Sequence, residues 1–342
     1  MDNQNSHQYK LSIAPMLGIT THHFRSFFRL LSKETLLYTE MINCEAIINS
    51  KQTKLINFFP EHKPLVLQIG GSNPSSIQKA CEKVKPLSYT EFNLNCGCPS
   101  KKVSDRAFGA SLMNNPSLVS QCIKEMNKVN YSSIKCRIGL NEFNKKFLDD
   151  FIKNTSKDGG CKKYIIHSRI AIMGIDTIKN RKIPPLQTEI VYKLKEEYPN
   201  LLFTINGGIK TLEEVKYHNE KGLSCMIGRA AYENPWIFRK ADKLIYGKSN
   251  YNLSRKEIIY KYADYCDKFE DEYLEEINNN VVNDFIRPLT NLFYGEPFNK
   301  EYRDLLYDIK KETKNDYHLF RDHLYNVVEE FEKINFNSMN AI

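Results

Sequence analysis

The chain has 342 residues, with 41% hydrophobic and 26% charged side chains and a formal charge of +8. That is ordinary globular composition, long enough to bury a sizeable core in one large domain plus a smaller one. No apolar run approaches the roughly 20 residues of a membrane helix, and Met1 to Lys10 lacks the apolar core of a signal peptide, so a cytoplasmic protein is expected. The moderate excess of Lys and Arg attracts polyanions without identifying one.

Nine cysteines are scattered without paired Cys-x-x-Cys spacing, so they are read as reduced thiols and no metal is expected. In chain order, strand-like runs fall at 11–15, 35–40, 64–69, 90–95, 133–138, 163–167, 201–206 and 223–228. Helical stretches alternate with them. Asn73-Pro74, Asn115-Pro116 and Asn234-Pro235 each offer a capping Asn before a proline, and Thr211 with Glu214 offers a capping box.

Eight β-then-α units within about 245 residues predict a (β/α)8 TIM barrel, which typically takes roughly 250 residues. A doubly wound sheet is the competitor, but the glycine-rich turn expected after its early strand is missing. After residue 248 the strand pattern stops. Ser254 and Glu257 open a helix with Ile258, Ile259, Tyr262, Cys266 and Phe269 on its apolar face, and further helical patterns cover 281–294, 300–310 and 317–334. The expected organisation is a catalytic barrel over 1–248, a small C-terminal helical domain over 249–335 and a tail over 336–342.

The site of such a barrel lies at the C-terminal ends of its strands. The most informative segment there is Glu91-Phe92-Asn93-Leu94-Asn95-Cys96-Gly97-Cys98-Pro99-Ser100, a strand pattern running into a tight turn that carries a thiol. Asn93 and Asn95 share one face, and buried amides must be satisfied, by a ligand among other means. Lys135 and Arg137 share the face of another strand, where two cations are costly unless an anion meets them. Asn206-Gly207-Gly208 and Gly228-Arg229 follow the last two strands, where these barrels commonly bind phosphate. His167 ends the strand between them and Lys135.

These residues resemble the tRNA-dihydrouridine synthases, and within them the bacterial A subfamily. The resemblance rests on Ala14-Pro15-Met16-Leu17, Leu37-Tyr38-Thr39-Glu40-Met41, Leu67-Gln68-Ile69-Gly70-Gly71, Asn93-Leu94-Asn95-x-Gly97-Cys98-Pro99-Ser100, Arg137-Ile138-Gly139, Ile166-His167-x-Arg169, Asn180-Arg181-x-Ile183-Pro184-Pro185-Leu186 and Ile205-Asn206-Gly207-Gly208-Ile209-Lys210, in that order. It runs from about Leu11 to the last helix.

The resemblance implies a flavin-dependent enzyme that reduces D-loop uridines of tRNA at position 20 and its neighbour 20a. FMN is the implied cofactor and NADPH the implied reductant. Pro15, Met16 and Leu17 would line the flavin, Gln68 and Lys135 would meet its ring edge, and His167, Asn206, Gly207, Gly208, Gly228 and Arg229 would hold its ribityl phosphate side. Asn95 would bind the uracil, and Cys98 would donate the proton that completes reduction. An ordinary cysteine thiol, titrating near about 8.5, is protonated at neutral pH. Lys179, Arg181 and Lys182, with Lys300 and Arg303 in the helical domain, would contact tRNA. The implied partner is tRNA; a monomer is expected, with neither membrane nor DNA as partner.

The sequence departs from the family pattern at Gly18 and Thr21, where acidic residues are usual, and at Cys96, Arg106 and Ser111. Three other readings stay open at this point: an FMN barrel oxidoreductase acting on a small pyrimidine, an aldolase using Lys135 for a Schiff base, and a non-catalytic tRNA-binding protein.

Overall fold

A computed structural model describes residues 9–339 apart from 52, 106, 250–251, 277–279 and 314–316. The chain divides into two compact units. One takes in the chain to Leu17, Leu36–Asn57 and Lys63–Gly228; the other is Gly18–Thr35, Phe58–His62 and the chain from Arg229 on. The division therefore falls at Gly228, twenty residues before the boundary expected at 248, and the second unit also draws in the helix that follows the first strand.

The first unit is a parallel barrel of β1 (Leu11–Ile13), β2 (Leu37–Asn43), β3 (Leu65–Gly70), β4 (Glu91–Cys96), β5 (Ser132–Arg137), β6 (Lys163–His167), β7 (Leu202–Asn206) and β8 (Ser224–Ile227). Hydrogen bonds run in order around it, and Ile13 N to Leu36 O (2.9 Å) with Leu36 N to Leu11 O (3.1 Å) close the ring between β1 and β2. The (β/α)8 barrel predicted from the alternation is the fold observed. β2 starts two residues later than expected and extends to Asn43, and its register against β3 shifts between Tyr38 and Met41.

Alternation divides each strand between two environments. Leu65, Leu67 and Ile69 of β3 are fully buried on the outer face, as are Ile77, Ala80, Cys81 and Val84 of the helix Pro74–Val84. Inside, Ala14, Leu36, Tyr38, Val66, Ile165 and Met226 form an apolar plug on which Met16 packs. Polar side chains take over toward the strand ends. Asn73 and Asn115 cap their helices through Ser76 N and Leu118 N, each with proline in the first turn, and the Thr211–Glu214 box forms. Asn234 does not cap. Its N–H bonds back to Ala230 O, and Pro235–Lys240 is a 3-10 turn.

The second unit is helical, with His22–Arg29, Arg255–Tyr273, Val281–Leu289, Asn299–Thr313 and Phe320–Met339 as its main elements. The Ser254–Glu257 capping box opens the long helix, whose Ile258, Ile259, Tyr262, Cys266 and Phe269 are buried as expected. The helix expected to reach residue 294 ends at Leu289, one residue after Pro288, and tight turns close on Leu292 and Tyr294. The last helix runs through Met339, past the point where the tail was expected.

The core of this unit holds a buried histidine cluster. The hydroxyl of Tyr265 lies 3.2 Å from His22 Nδ1 and 2.7 Å from His23 Nδ1, the Ser26 hydroxyl lies 2.5 Å from His62 Nε2, and the His22 and His62 rings meet edge-on at 4.6 Å. Burial, then the charge of Arg25, holds His22 well below its ordinary pKa; burial, then His22, does the same to His62. The folded rings are neutral, whereas unfolded histidines take up protons below about pH 6.5. The unfolded chain then binds more protons, so stability is full above that pH and declines as pH falls. The expected loss approaches about 1.4 kcal/mol per histidine for each pH unit below 6.5. Urea midpoints at pH 7.5 and 5.5 measure it, and equal midpoints would mean that the cluster accepts protons at no cost.

Candidate functional site

On β4, Glu91, Asn93 and Asn95 point to the barrel interior, and their polar atoms are satisfied by neighbouring strands. Gln68 Nε2 donates to Asn93 Oδ1 (2.8 Å), Asn95 Nδ2 donates to Gln68 Oε1 (2.9 Å) and Asn93 Nδ2 donates to Ser133 Oγ (2.8 Å). The Ser133 hydroxyl donates to Glu91, whose other oxygen accepts from Lys163 Nζ at 2.7 Å. The charged pair is buried, and the serine hydrogen bond helps offset its desolvation.

Asn95 is the hinge between this network and the following turn. Its Oδ1 accepts from Gly97 N (3.2 Å) and Cys98 N (3.0 Å), and these backbone donors fix which side-chain atom is the oxygen. Arg137 holds the turn from β5, with Nε donating to Gly97 O (3.2 Å) and Nη1 to Ile170 O (3.1 Å). The Cys98 carbonyl accepts from Ala110 N at 2.9 Å. Both backbone polar groups of Cys98 are thus engaged, which holds its thiol in place. All nine cysteines are free thiols, and Cys98 alone among them is not buried.

A group of cations lies beside this turn. Lys135 Nζ donates to Asn206 Oδ1 (3.1 Å), whose Nδ2 donates to Met226 O (2.8 Å). Burial, then the charge of Arg137, lowers the Lys135 pKa to about 8, and burial lowers that of Arg137 to about 10. Burial holds His167 neutral, and the charges of Arg137, Lys135, Arg169 and Arg181 push its pKa the same way. Its buried Nδ1 has no hydrogen-bond partner within the protein.

Gly207 and Gly208 follow β7 at φ +111° and +82°, conformations that exclude most side chains. A Cβ on Gly207 would lie 3.3 Å from the His167 ring, and one on Gly208 would lie 2.5 Å from Leu186 Cδ1. Converging cations, an orphaned imidazole nitrogen and a bare glycine backbone suit an anionic, ring-bearing cofactor such as FMN.

Met16 and Leu17 leave β1 differently: Met16 is partly buried on the apolar plug, while Leu17 is 83% exposed. Gly228 follows β8, where an added Cβ would come 3.9 Å from Ala14. Arg229 opens the short helix Ala230–Glu233 in the helical unit. Lys179 and Lys182 are exposed, whereas Arg181 is partly buried with its charge directed at His167 and Arg137. Lys300 and Arg303 are exposed on Asn299–Thr313, with Lys300 paired to Asp304 at 3.2 Å.

Sequence reasoning set Arg137 beside Lys135 as a cation that calls for an anion, without foreseeing its bond to Gly97 O, and gave Arg169 no role beyond its motif. It passed over Gly109, whose contact with Cys98 is encoded by no local pattern. Among the departures, Thr21 caps His22–Arg29 through Phe24 N, the Ser111 hydroxyl donates to Phe108 O, and Cys96 is buried on the outer face of β4 opposite Cys136. Arg106 lies outside the described residues. Among the described residues no helix is long and apolar enough to cross a membrane.

A solved structure of a 2-naphthoyl-CoA reductase complex matches 68% of this chain with a TM-score of 0.52 at 10% identity, a likeness of fold alone; the chain spans half the length of that protein. Sequence relatives are nearer. The tRNA-dihydrouridine(20/20a) synthase of Synechocystis sp. is 41% identical over 302 residues, 87% of this chain and 88% of that one. Those of Salmonella typhi and Vibrio parahaemolyticus are 40% and 38% identical over 304 residues, each covering 87% of this chain and 89% and 90% of their own. The family model described as dihydrouridine synthase matches residues 12–330. That match, with the identity of these relatives over most of their length, shows that the chain belongs to the dihydrouridine synthases.

Proposed function

We propose that this protein is a tRNA-dihydrouridine synthase that reduces the C5–C6 double bond of tRNA uridines at positions 20 and 20a. The observation that carries the reading is Cys98: the one thiol not buried, fixed by Asn95 and Ala110 through its own backbone and by Arg137 through Gly97. FMN would be held by Gln68, Lys135, His167, Asn206, Gly207, Gly208, Gly228 and Arg229 with Pro15, Met16 and Leu17, and when bound it supplies a hydride to C6 of uracil, with NADPH as its source of electrons.

Saturating the double bond also needs one proton, at C5. Cys98 Sγ–H donates it, and the resulting thiolate regains a proton from water before the next turnover. Asn95 keeps the thiol aimed, because its Oδ1 holds the Cys98 amide; its contact with the uracil is made from this braced position. Lys135 and Arg137 offer positive charge to the electron-rich ring system, in a site whose low polarizability strengthens that interaction. Arg181 joins them from the loop after β6, while Lys179, Lys182, Lys300 and Arg303 are exposed cations suited to phosphate contacts.

The test is position-by-position mapping of dihydrouridine after incubating the purified flavoprotein with NADPH and unmodified tRNA. Product at 20 and 20a is the expected result, and a yellow protein that binds tRNA without making dihydrouridine would overturn the reading. A second expectation concerns the cofactor alone. An anion in the site favours charged Lys135, so FMN affinity of the apoprotein should fall as pH rises through about 8, by up to about tenfold per unit until the bound-state pKa is reached. Titration of FMN at pH 7, 8 and 9 measures this, with Lys135→Met expected to flatten the profile.

A further inference from the structure

The helical unit contains a recess of about 550 Å3 lined by Tyr232, Asn283, Asp284, Arg287, Thr290 and Tyr307 among others. The volume falls within the range of small-ligand sites. Asn283, Asp284, Arg287 and Thr290 come from one face of Val281–Leu289 and its C-cap, while Val281, Val282, Phe285, Ile286 and Leu289 are buried in the core. An outward face of a small bundle usually carries long, solvated charges; this one carries short amides, a carboxylate and a guanidinium around a hollow.

The chemistry of the lining is specific. Arg287 is pre-oriented, since its Nη1 donates to Gly18 O at 2.9 Å, which leaves the rest of its fork for a ligand. Its contact with Asp284 at 3.7 Å, with both side chains partly exposed, is a weak pair that a ligand can replace. Tyr232 and Tyr307 both line the recess; burial, then the Tyr307 hydroxyl, raises the Tyr232 pKa, and the charges of Arg287 and Arg303 act against that rise. Tyr307 is 46% exposed, an aromatic face at the recess.

A carboxylate, an arginine fork and tyrosine faces are together the complement of guanine. Its N1–H and 2-amino group donate in parallel to a carboxylate, its O6 and N7 accept from arginine, and its ring stacks on tyrosine. We propose that this recess is a second nucleotide site, taking one unstacked guanosine of the RNA substrate, with Asp284 reading the N1 and 2-amino donors and Arg287 the acceptor edge. The proposal rests on the synthase reading above for the identity of the RNA. Adenine lacks the paired donors, and uracil has a single N–H donor between two separated carbonyls and a smaller stacking area.

The full-length flavin-loaded protein is titrated with GMP, IMP, AMP and UMP by calorimetry or NMR, and KM for unmodified tRNA is measured for Arg287→Ala, Tyr307→Ala and Asp284→Asn. GMP is expected to bind best, with IMP weaker through loss of the 2-amino group, and Asp284→Asn to erase the GMP-over-IMP preference. Tyr307→Ala, at an exposed position, and Arg287→Ala are expected to raise KM roughly 5- to 100-fold, the range of one base-stacking or bidentate contact, with flavin content unchanged. Equal binding of the four nucleotides, or unchanged KM in both folded variants, overturns the site. An active enzyme indifferent to these substitutions leaves the synthase reading intact, whereas guanosine-selective binding without uridine reduction overturns that reading and leaves the site standing.

Discussion

Cys98→Ala is expected to lower dihydrouridine formation by about 10²- to 10⁴-fold, the usual contribution of a positioned general acid, while tRNA affinity, flavin content and the unfolding midpoint stay close to those of the native chain. The other eight thiols cannot replace it. Cys44, Cys81, Cys96, Cys122, Cys136, Cys161, Cys225 and Cys266 are buried, and burial raises every one of their pKa values, those of Cys122, Cys136, Cys161 and Cys225 to about 12. A buried thiol shielded from substrate works as a small apolar side chain. Cys122→Ala should therefore act on stability through lost packing and leave the rate alone. Single-turnover reduction of tRNA uridine by the pre-reduced flavoprotein separates these cases, because it excludes the NADPH half-reaction. A Cys98→Ala protein that turns over within a factor of a few of the native rate would show that water or another side chain supplies the proton.

The thiol turn was legible in the sequence because three signals coincided there: an alternating strand, two inward amides and a cysteine between a glycine and a proline. The barrel was legible for a related reason, since a strand with helices on one side and a packed interior on the other writes a short apolar run whatever its neighbours are. The rest depended on partners far away in the chain. Asn95 was expected to meet a ligand, but its second task was not legible: its oxygen serves the Gly97 and Cys98 amides and its nitrogen serves Gln68, 27 residues earlier. His22 and His23 carried no visible pattern, because their packing partners Tyr265 and Phe269 come from a helix more than 200 residues later. Two boundaries were also misplaced: the helix from Val281 ends at Leu289, and β2 runs from Leu37 to Asn43. Arg181 shows both sides. Its motif marked it as important, but the direction of its charge, toward His167 and Arg137, follows from the path of the loop after β6.

Gly109→Ala is expected to be nearly as damaging to the rate as loss of the thiol, although residue 109 has no reactive group. Gly109 sits at φ +74°, where an L side chain costs roughly 1–2 kcal/mol, and its surroundings add a second penalty. A Cβ there would lie 2.6 Å from the Cys98 carbonyl oxygen and 2.4 Å from Val103 Cγ1. The valine can shift, but the carbonyl belongs to the turn itself and accepts the Ala110 N–H at 2.9 Å. Relief of the clash therefore moves Cys98. A displacement on the order of 1 Å at a reacting group can cost about 10²-fold in rate, and that is the loss expected here. Gly247→Ala provides the comparison, because Gly247 has a similar φ of +67° with nothing within 4 Å of an added Cβ. It should lose stability through backbone strain alone and keep its turnover. If Gly109→Ala instead matched Gly247→Ala in both stability and rate, the Cys98 turn would have to be compliant, and the bracing assigned to Asn95 and Arg137 would not be what sets the position of the thiol.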